Sequence, residues 1–543
     1  MSREQVFWGW GEPGSGPSLP DHAGAFLRSE LGVEGVVVSS PVALEAARLG
    51  PPQLPDAARR RLEEIAGAEA VRDDAEARVL RCRGKSYLDL LAQRAGDCEA
   101  APDAVVAPAD AAQVQAVLFA CAEAGVAVVP FGGGTSVVGG LEPLREGFDA
   151  LVSLDLGRVN GLRSMDARSL TAVLGAGTRL PEADRALAAH GLTLGHLPQS
   201  YEWATVGGCV ATRSAGQASA GFGRIEDNVV ALRCATPMGE LATLGAPASA
   251  AGPSIRELVV GSEGTLGAIT EVALRVFPIA PERRYEGWFF RGFEEGWDAL
   301  RTLVQSDAAP DVVRLSDEEE TRISLALAGP RGLKGQAGGA VLRARGYEGG
   351  CLAILGWEGE GDAVARRHGP AARILRGAGG MTVGRAPGEA WRAARFAGPH
   401  LRDDLLDRGV LVETLETATS WTKLAALHAA VGEALRGALE RAQVACHVSH
   451  VYPTGASLYF TVLAAQEAGD PAAQWQRAKA AASDAIVAQG ATISHHHAVG
   501  RDHTPWLGAE TGALGMELLR AVRERCDPAG IMNPGKLRPA GRG

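Results

Sequence analysis

Residues 130 to 136 read Pro130-Phe131-Gly132-Gly133-Gly134-Thr135-Ser136, continuing as Val137-Val138-Gly139-Gly140. Three consecutive glycines uncover a row of backbone N–H groups, and such a nest suits a pyrophosphate. The dinucleotide fingerprint G-x-G-x-x-G does not fit: its third glycine would stand at Val137. Val-Val-Gly-Gly is also a poor start for a helix that could face the phosphate. A plain structural loop is the competing reading of a bare glycine triplet. Gly84-Lys85-Ser86 ends like a phosphate loop, but the glycine which that motif needs falls at Val79.

Two further groups carry protons or ligands. In Ser457-Leu458-Tyr459-Phe460-Thr461-Val462 the side chains of Leu458, Phe460 and Val462 share one strand face, so Tyr459 points the other way beside Ser457 and Thr461. Such a tyrosine is either a rim residue or a proton-transfer group. To act as a base near neutrality its pKa must fall from about 10, and three units correspond to about 4 kcal/mol of preferential phenolate stabilisation. Neighbouring cations would supply it. Ser494-His495-His496-His497 follows the apolar run Ile486-Val487-Ala488 and Gly490. In an extended chain His495 and His497 share a face and His496 opposes them. A zinc site would need a third ligand, and only His503 lies nearby in sequence. The readings are a metal site, a packing or solvated cluster, or a polar surface contacting substrate or cofactor; the last is the expectation, with no metal.

The elements that must position these groups follow from periodicity. Val114, Val117, Leu118 and Cys121 mark a helix leading into the apolar strand Val126-Ala127-Val128-Val129 before the glycines. Leu180 to Ala189 reads as a helix with Pro181 in its first turn and Gly191 beyond its end. Thr270, Val272, Leu274 and Val276 alternate as a half-buried strand, and Pro278 and Pro281 then break the pattern. Gly329 to Gly350 reads as a loop, and Cys351 to Trp357 as a strand. Ser420 is a candidate N-cap for a helix carrying Leu424, Leu427, Val431 and Leu435. Ala445 to Ser449 and Ser457 to Val462 form a hairpin around Pro453-Thr454-Gly455. The Ala- and Arg-rich residues 1–97 read as largely helical.

A chain of 543 residues holds two or three domains, and 46% hydrophobic against 22% charged residues is globular. The net charge of −10 argues against nucleic acid as a partner. Eight cysteines without a C-x-x-C pair read as reduced thiols. Met1-Ser2-Arg3-Glu4-Gln5 lacks the apolar core of a signal peptide, no run of about 18 apolar residues occurs, and Gly541-Arg542-Gly543 is not a peroxisomal address. The expected location is cytoplasmic.

The glycine loop resembles that of the vanillyl-alcohol oxidase type of flavoprotein, where Gly-Gly-Gly-Thr-Ser holds the FAD pyrophosphate. Two further segments resemble the same PCMH-type domain: Gln199 to Gly208 with Thr212-Arg213-Ser214-Ala215-Gly216, and Gly261-Ser262-Glu263-Gly264-Thr265-Leu266-Gly267-Ala268-Ile269-Thr270. The resemblance implies an α+β fold: a PCMH-type FAD-binding domain of two α/β subdomains, and a cap domain of antiparallel sheet flanked by helices. It implies FAD contacts from Pro130 to Ser136 and from Gln199, Ser200, Thr205, Gly208, Thr212, Arg213, Ser214, Gly261, Ser262, Glu263, Gly264, Gly267 and Ile269. With no histidine in the 130–136 loop, histidyl attachment there is excluded and FAD is expected to be non-covalent.

From Trp8 onward the chain resembles alkylglycerone-phosphate synthases more closely. The carriers are Cys446 to Phe460, Ser494 to Gly500, Pro399-His400-Leu401-Arg402-Asp403, Glu413-Thr414-Leu415-Glu416-Thr417 and Val313 to Asp317. That family exchanges the acyl group of acyl-dihydroxyacetone phosphate for a fatty alcohol, through a covalent adduct on flavin N5 and without net redox change. The resemblance implies Tyr459 as proton acceptor and donor, Arg402 as substrate ligand favouring the phenolate, and Arg314 as a second cation. It places His495, His496 and His497 at the reacting end, with imidazoles exchanging protons near pH 7. Where that family carries a basic run, this chain has Arg501-Asp502-His503. Its tail, Asp527 to Leu537, resembles instead the FAD-linked 2-hydroxy-acid dehydrogenases, whose C-terminal segment returns to the flavin and would bring Asn533 and Lys536 near it. An oxidoreductase acting on a 2-hydroxy acid or alcohol is therefore the alternative. The expected organisation is a helical region 1–97, an FAD domain 98–279, a cap 280–492 and a returning segment 493–543. The expected partners are a small-molecule or lipid substrate, a second copy of the chain in a homodimer, and a membrane touched peripherally.

Overall fold

The computed structural model describes residues 4–329 and 332–538. Met1 to Arg3 and Gly541-Arg542-Gly543, read above for targeting signals, lie outside the described residues. The strand Val126–Phe131 pairs in parallel with Ala150–Asp155, which pairs in parallel with Ala104–Val106, and Val71–Arg72 closes this four-stranded sheet antiparallel. The helix before it, Ala111–Ala124, is capped by the Asp110 carboxylate on the Gln113 N–H and ends at Gly125 with φ 64°. Its Val114, Val117, Leu118 and Cys121 are buried against the sheet. The free edge of Val126–Phe131 is covered from far along the chain. The Val128 N–H donates to the Ile531 carbonyl at 2.8 Å, and the Asn533 N–H donates to the Val128 carbonyl at 2.8 Å. Ile531 and Met532 are fully buried there, each stabilising by roughly 2–3 kcal/mol.

A second sheet runs Gly239–Ala242, Val229–Thr236, Ala268–Arg275, Thr171–Gly175, Leu162–Asp166, all antiparallel. The helix Leu180–Ala188 packs on it through Leu180, Ala183 and Leu187. The third sheet has seven antiparallel strands in the order Met381–Gly384, Glu282–Phe290, Cys351–Gly359, Val312–Ser316, Gln443–Tyr452, Gly455–Ala465, Val410–Ser420. Strand alternation sorts its faces. Leu458, Phe460 and Val462 go under the helices Leu424–Ala438 and Pro471–Ala488, with Leu427, Val431, Ala482 and Ile486. The opposite face carries Tyr459, Thr461 and Leu463. The whole is α+β, a part with two sheet layers that carries the glycine loops and a cap built on the large antiparallel sheet.

Three local expectations fail. Gly332–Ala344 is a helix, so the stretch read as a loop is not one; its glycines masked the period. Ser420 ends a strand, a 3₁₀ turn Trp421–Lys423 follows, and Lys423 holds the N-cap position of Leu424–Ala438. The first 97 residues are less helical than their composition suggests. Ala23–Leu31, Asp56–Ala66, Ala75–Leu80 and Tyr87–Arg94 are helices separated by extended stretches, in which Pro, Gly and β-branched residues prevail over the surrounding alanines.

Candidate active site

A cavity of about 510 Å³ lies between the glycine loops and the Tyr459 face of the large sheet. One wall is backbone. Pro130, Phe131, Gly132, Gly133, Gly134, Thr135 and Ser136 line it together with Gln199, Ser200, Thr205, Gly208, Thr212, Ser214, Glu263, Gly264, Gly267 and Ile269. The glycines are needed for close approach. A Cβ at Gly133 would collide with the Trp203 carbonyl oxygen, one at Gly132 would meet the Thr205 hydroxyl at 2.5 Å, and Gly134 has φ 69°. Loop 130–136 and segment 203–208 therefore touch backbone to backbone, leaving a side-chain-free cradle that fits a dinucleotide pyrophosphate.

Four residues expected to touch the cofactor do not line the cavity. Arg213 turns back to the Val260 carbonyl (3.1 Å) and Glu257 (3.1 Å). Gly261 packs on the Arg213 side chain, and the Ser262 carbonyl accepts the Thr265 hydroxyl. Asn533 Nδ2 donates to the carbonyls of Gly140 (3.1 Å) and Glu263 (2.7 Å), tying two cofactor loops together. Lys536 likewise ends on the Glu142 carbonyl.

The opposite wall is side chain. Glu416, Tyr459 and His447 are cross-strand neighbours in one row, and Thr414 faces Thr461 and Val412 faces Leu463 in the rows beyond. A register shift between Val448 and Val451 turns Ser449 and His450 into the cavity wall as well. Arg402 comes from the helix Gly398–Asp407, where one Nη donates to the Lys85 carbonyl at 2.9 Å while Nε is buried with no acceptor among the described residues. Trp10 Nε1 is a second such donor on the same cavity. Arg314 lines the wall but is engaged: its Nη atoms meet His447 Nε2 at 3.0 Å and Glu320 at 2.6 Å.

The three histidines are not a strand. They curl over Glu416, whose carboxylate accepts the Ser494 hydroxyl (2.7 Å) and the backbone N–H groups of His495 (2.6 Å), His496 (3.1 Å) and His497 (2.9 Å). Beyond Ala498, Glu263 accepts the N–H groups of Val499 and Gly500, at 2.8 Å each. Gly500 must be glycine, with φ 54° and the Val138 carbonyl where a Cβ would stand. His496 and His497 reach the cavity, and His495 lies behind them against the Tyr452 hydroxyl at 2.5 Å. His503 turns away to the Ala498 carbonyl. The third imidazole beside His495 and His496 is His450, so these three form the group among the described residues able to hold a metal ion. Arg501 and Asp502 do not line the cavity; Arg501 pairs with Glu142 at 2.6 Å.

The electrostatics correct two expectations. Burial pushes the Tyr459 phenol up to about 12, with Glu416 and Glu413 adding to it, while the Thr414 hydrogen bond and Arg402 oppose. The cations do not outweigh desolvation, because one of the two is spent on Glu320. Burial also pushes His497 down to about 3 and His495 well below its ordinary value, so neither titrates near pH 7. Glu416 was visible only as part of a motif, and His450 likewise. Nothing local in either segment marks the contacts they make.

The region 102–245 matches the model of an FAD binding domain, and 279–537 that of the C-terminal domain of FAD linked oxidases. With the backbone cradle, these define a PCMH-type, FAD-binding flavoprotein of the FAD-linked oxidoreductase class. An alkyldihydroxyacetonephosphate synthase of Dictyostelium discoideum is 32% identical, covering 96% of this chain and 88% of its own length. That of Trypanosoma brucei brucei is 30% identical, covering 99% and 93%. A solved alkyldihydroxyacetonephosphate synthase superposes with TM-score 0.84 at 29% identity, covering 98% of this chain and 99% of that one. The chain belongs to the alkyldihydroxyacetonephosphate synthase family.

Proposed function

We propose that the protein holds FAD non-covalently and exchanges the acyl group of acyl-dihydroxyacetone phosphate for a fatty alcohol. One observation carries this reading: the cavity joins unpaired buried donors to an apolar wall. Arg402 Nε and Trp10 Nε1 lack acceptors among the described residues, and an anionic head group would satisfy them. Along the same strand face Tyr459 gives way to Thr461 and then Leu463, with Val412 across from it and Leu401 and Leu405 beside it. At about 3.4 Å per residue this path is roughly 14 Å long, suited to a chain longer than a small hydroxy acid offers.

The 130–136, 199–214 and 263–269 loops would hold the cofactor. Bound FAD would supply an oxidised ring that acts as a reversible electron-pair acceptor toward the substrate carbon. Tyr459 takes a proton from the substrate carbon and returns it. Because its pKa stands near 12, Arg402 and Thr414 are the levers that favour the phenolate. His496 and His497 close the reacting end against water. Peripheral contact with a membrane, for delivery of the alcohol, belongs to the same proposal. Among the described residues no helix is long and apolar enough to cross one.

Tyr459→Phe tests it, since only the hydroxyl is lost and the Leu458/Phe460 face is untouched. The variant should bind FAD and form no ether product, and its flavin should stay oxidised with the acyl substrate. Wild-type flavin bleached by a simple hydroxy acid, with no ether product, would decide for a hydride-transferring oxidoreductase.

A further inference from the structure

Exchange of an ester for an ether leaves one proton over. The alcohol oxygen forms the new bond to the substrate carbon, the old carbon–oxygen bond breaks with its electron pair, and a carboxylate departs. The proton that Tyr459 removes returns to the same carbon, so the hydroxyl proton of the alcohol is the surplus. A fatty acid remains ionised at neutral pH, and that proton must therefore reach bulk water from a buried wall.

A continuous path leads outward from that wall. His496 lines the cavity. Its Nδ1 is turned inward, 2.9 Å from His495 Nδ1 and 3.3 Å from Glu416, which leaves Nε2 to meet a proton from the cavity. His495 Nε2 is 2.5 Å from the Tyr452 hydroxyl. An imidazole relays a proton by accepting on one nitrogen and releasing from the other, and Glu416 stabilises the positive charge in transit. His450 flanks the pair, its ring centred 4.8 Å from His495 and 5.2 Å from His496, and is held by the Gly216 carbonyl at 3.1 Å. Tyr452 is half-buried. Beside it Arg224 donates to the His495 carbonyl at 2.6 Å and pairs with Glu226 at 3.0 Å, and Glu226 Oε2 has no partner among the described residues. That oxygen is buried, and the outermost member of the path is the half-buried Tyr452.

We propose that His496, His495 and Tyr452 form the proton exit of the site, with Tyr452 as the outer relay residue. The inference rests on the exchange reaction proposed above. It places a functional hydroxyl on a residue that does not line the cavity.

The test is Tyr452→Phe in the FAD-loaded protein, which keeps the ring and breaks the path. FAD content and KM should be unchanged, and kcat should fall on the order of tenfold or more, with recovery on adding imidazole buffer. Tyr452→His, which keeps a relaying group, should restore most of kcat. A second readout needs no substrate: by NMR, solvent exchange of the His495 and His496 ring N–H protons should slow in Tyr452→Phe. Wild-type kcat without buffer dependence, together with unchanged ring exchange, overturns the proposal. So does stoichiometric zinc on His450, His495 and His496 in the purified protein, because metal would occupy the relaying nitrogens. If the wild type forms no ether while ring exchange still slows in the variant, the path stands and the exchange reaction falls.

Discussion

Glu416 and Glu263 reach the histidine loop from opposite sides, the first from the seven-stranded sheet and the second from the glycine-rich cofactor half. Each accepts hydrogen bonds from consecutive backbone N–H groups. Their ionisation nevertheless diverges. Burial opposes both charges, yet Glu416 is held well below the usual carboxylate range by the neighbouring histidines, whereas burial lifts Glu263 to about 7. Glu263 has two backbone donors; Glu416 has three, a hydroxyl and His496 beside it. His496 beside the carboxylate, with the other two histidines, thus keeps Glu416 an anion where Glu263 has only backbone donors close by. The cofactor half is built from backbone that tolerates no side chain, and the sheet half from side chains fixed by a charge.

Breaking the backbone half has the largest expected effect. Gly133→Asp should give colourless protein, because its Cβ already collides with the Trp203 carbonyl; flavin content by absorbance checks it. On the sheet side, Glu416→Gln replaces one accepting oxygen by a donor facing N–H groups. It should lower stability by about 3 kcal/mol in urea unfolding and abolish turnover. The wild-type contribution of Glu416 is present above its unfolded value of about 4.5 and is lost as pH falls toward its lower folded value. Glu263 has the opposite sign. Its folded pKa is raised, so it lowers stability as pH climbs from about 4.5 to about 7 and is level above that. Glu263→Gln should change stability at pH 5 by about 1 kcal/mol or less and flatten that slope. Equal losses from the two glutamine variants at pH 8 would remove the distinction.

How much of this was legible follows from the reach of each contact. The glycine cradle, the Tyr459 face and the helix before the first strand are local patterns, and the sequence displays them within a few residues. Glu416 meets the His495 N–H across 79 positions, and its strand reads as one more alternating segment. Trp10 and Gln5 reach the cavity region from the far N-terminal stretch, Gln5 donating to the Gly133 carbonyl over 128 positions. The charge balance at Tyr459 was misjudged because Arg314 is committed to Glu320, a pairing that depends on tertiary placement. Helix 332–344 was hidden by its glycines, each disfavouring helix by about 1 kcal/mol.

The pairing of Ile531 to Asn533 with Val128 sets a schedule for biosynthesis. Asn533 joins Gly140 across 393 positions, and at 5–20 residues per second a ribosome needs roughly 20–80 s to make that stretch. Throughout that interval the edge of the cofactor strand is bare. A nascent chain can complete this edge of its glycine cradle only after residue 533 has left the exit tunnel.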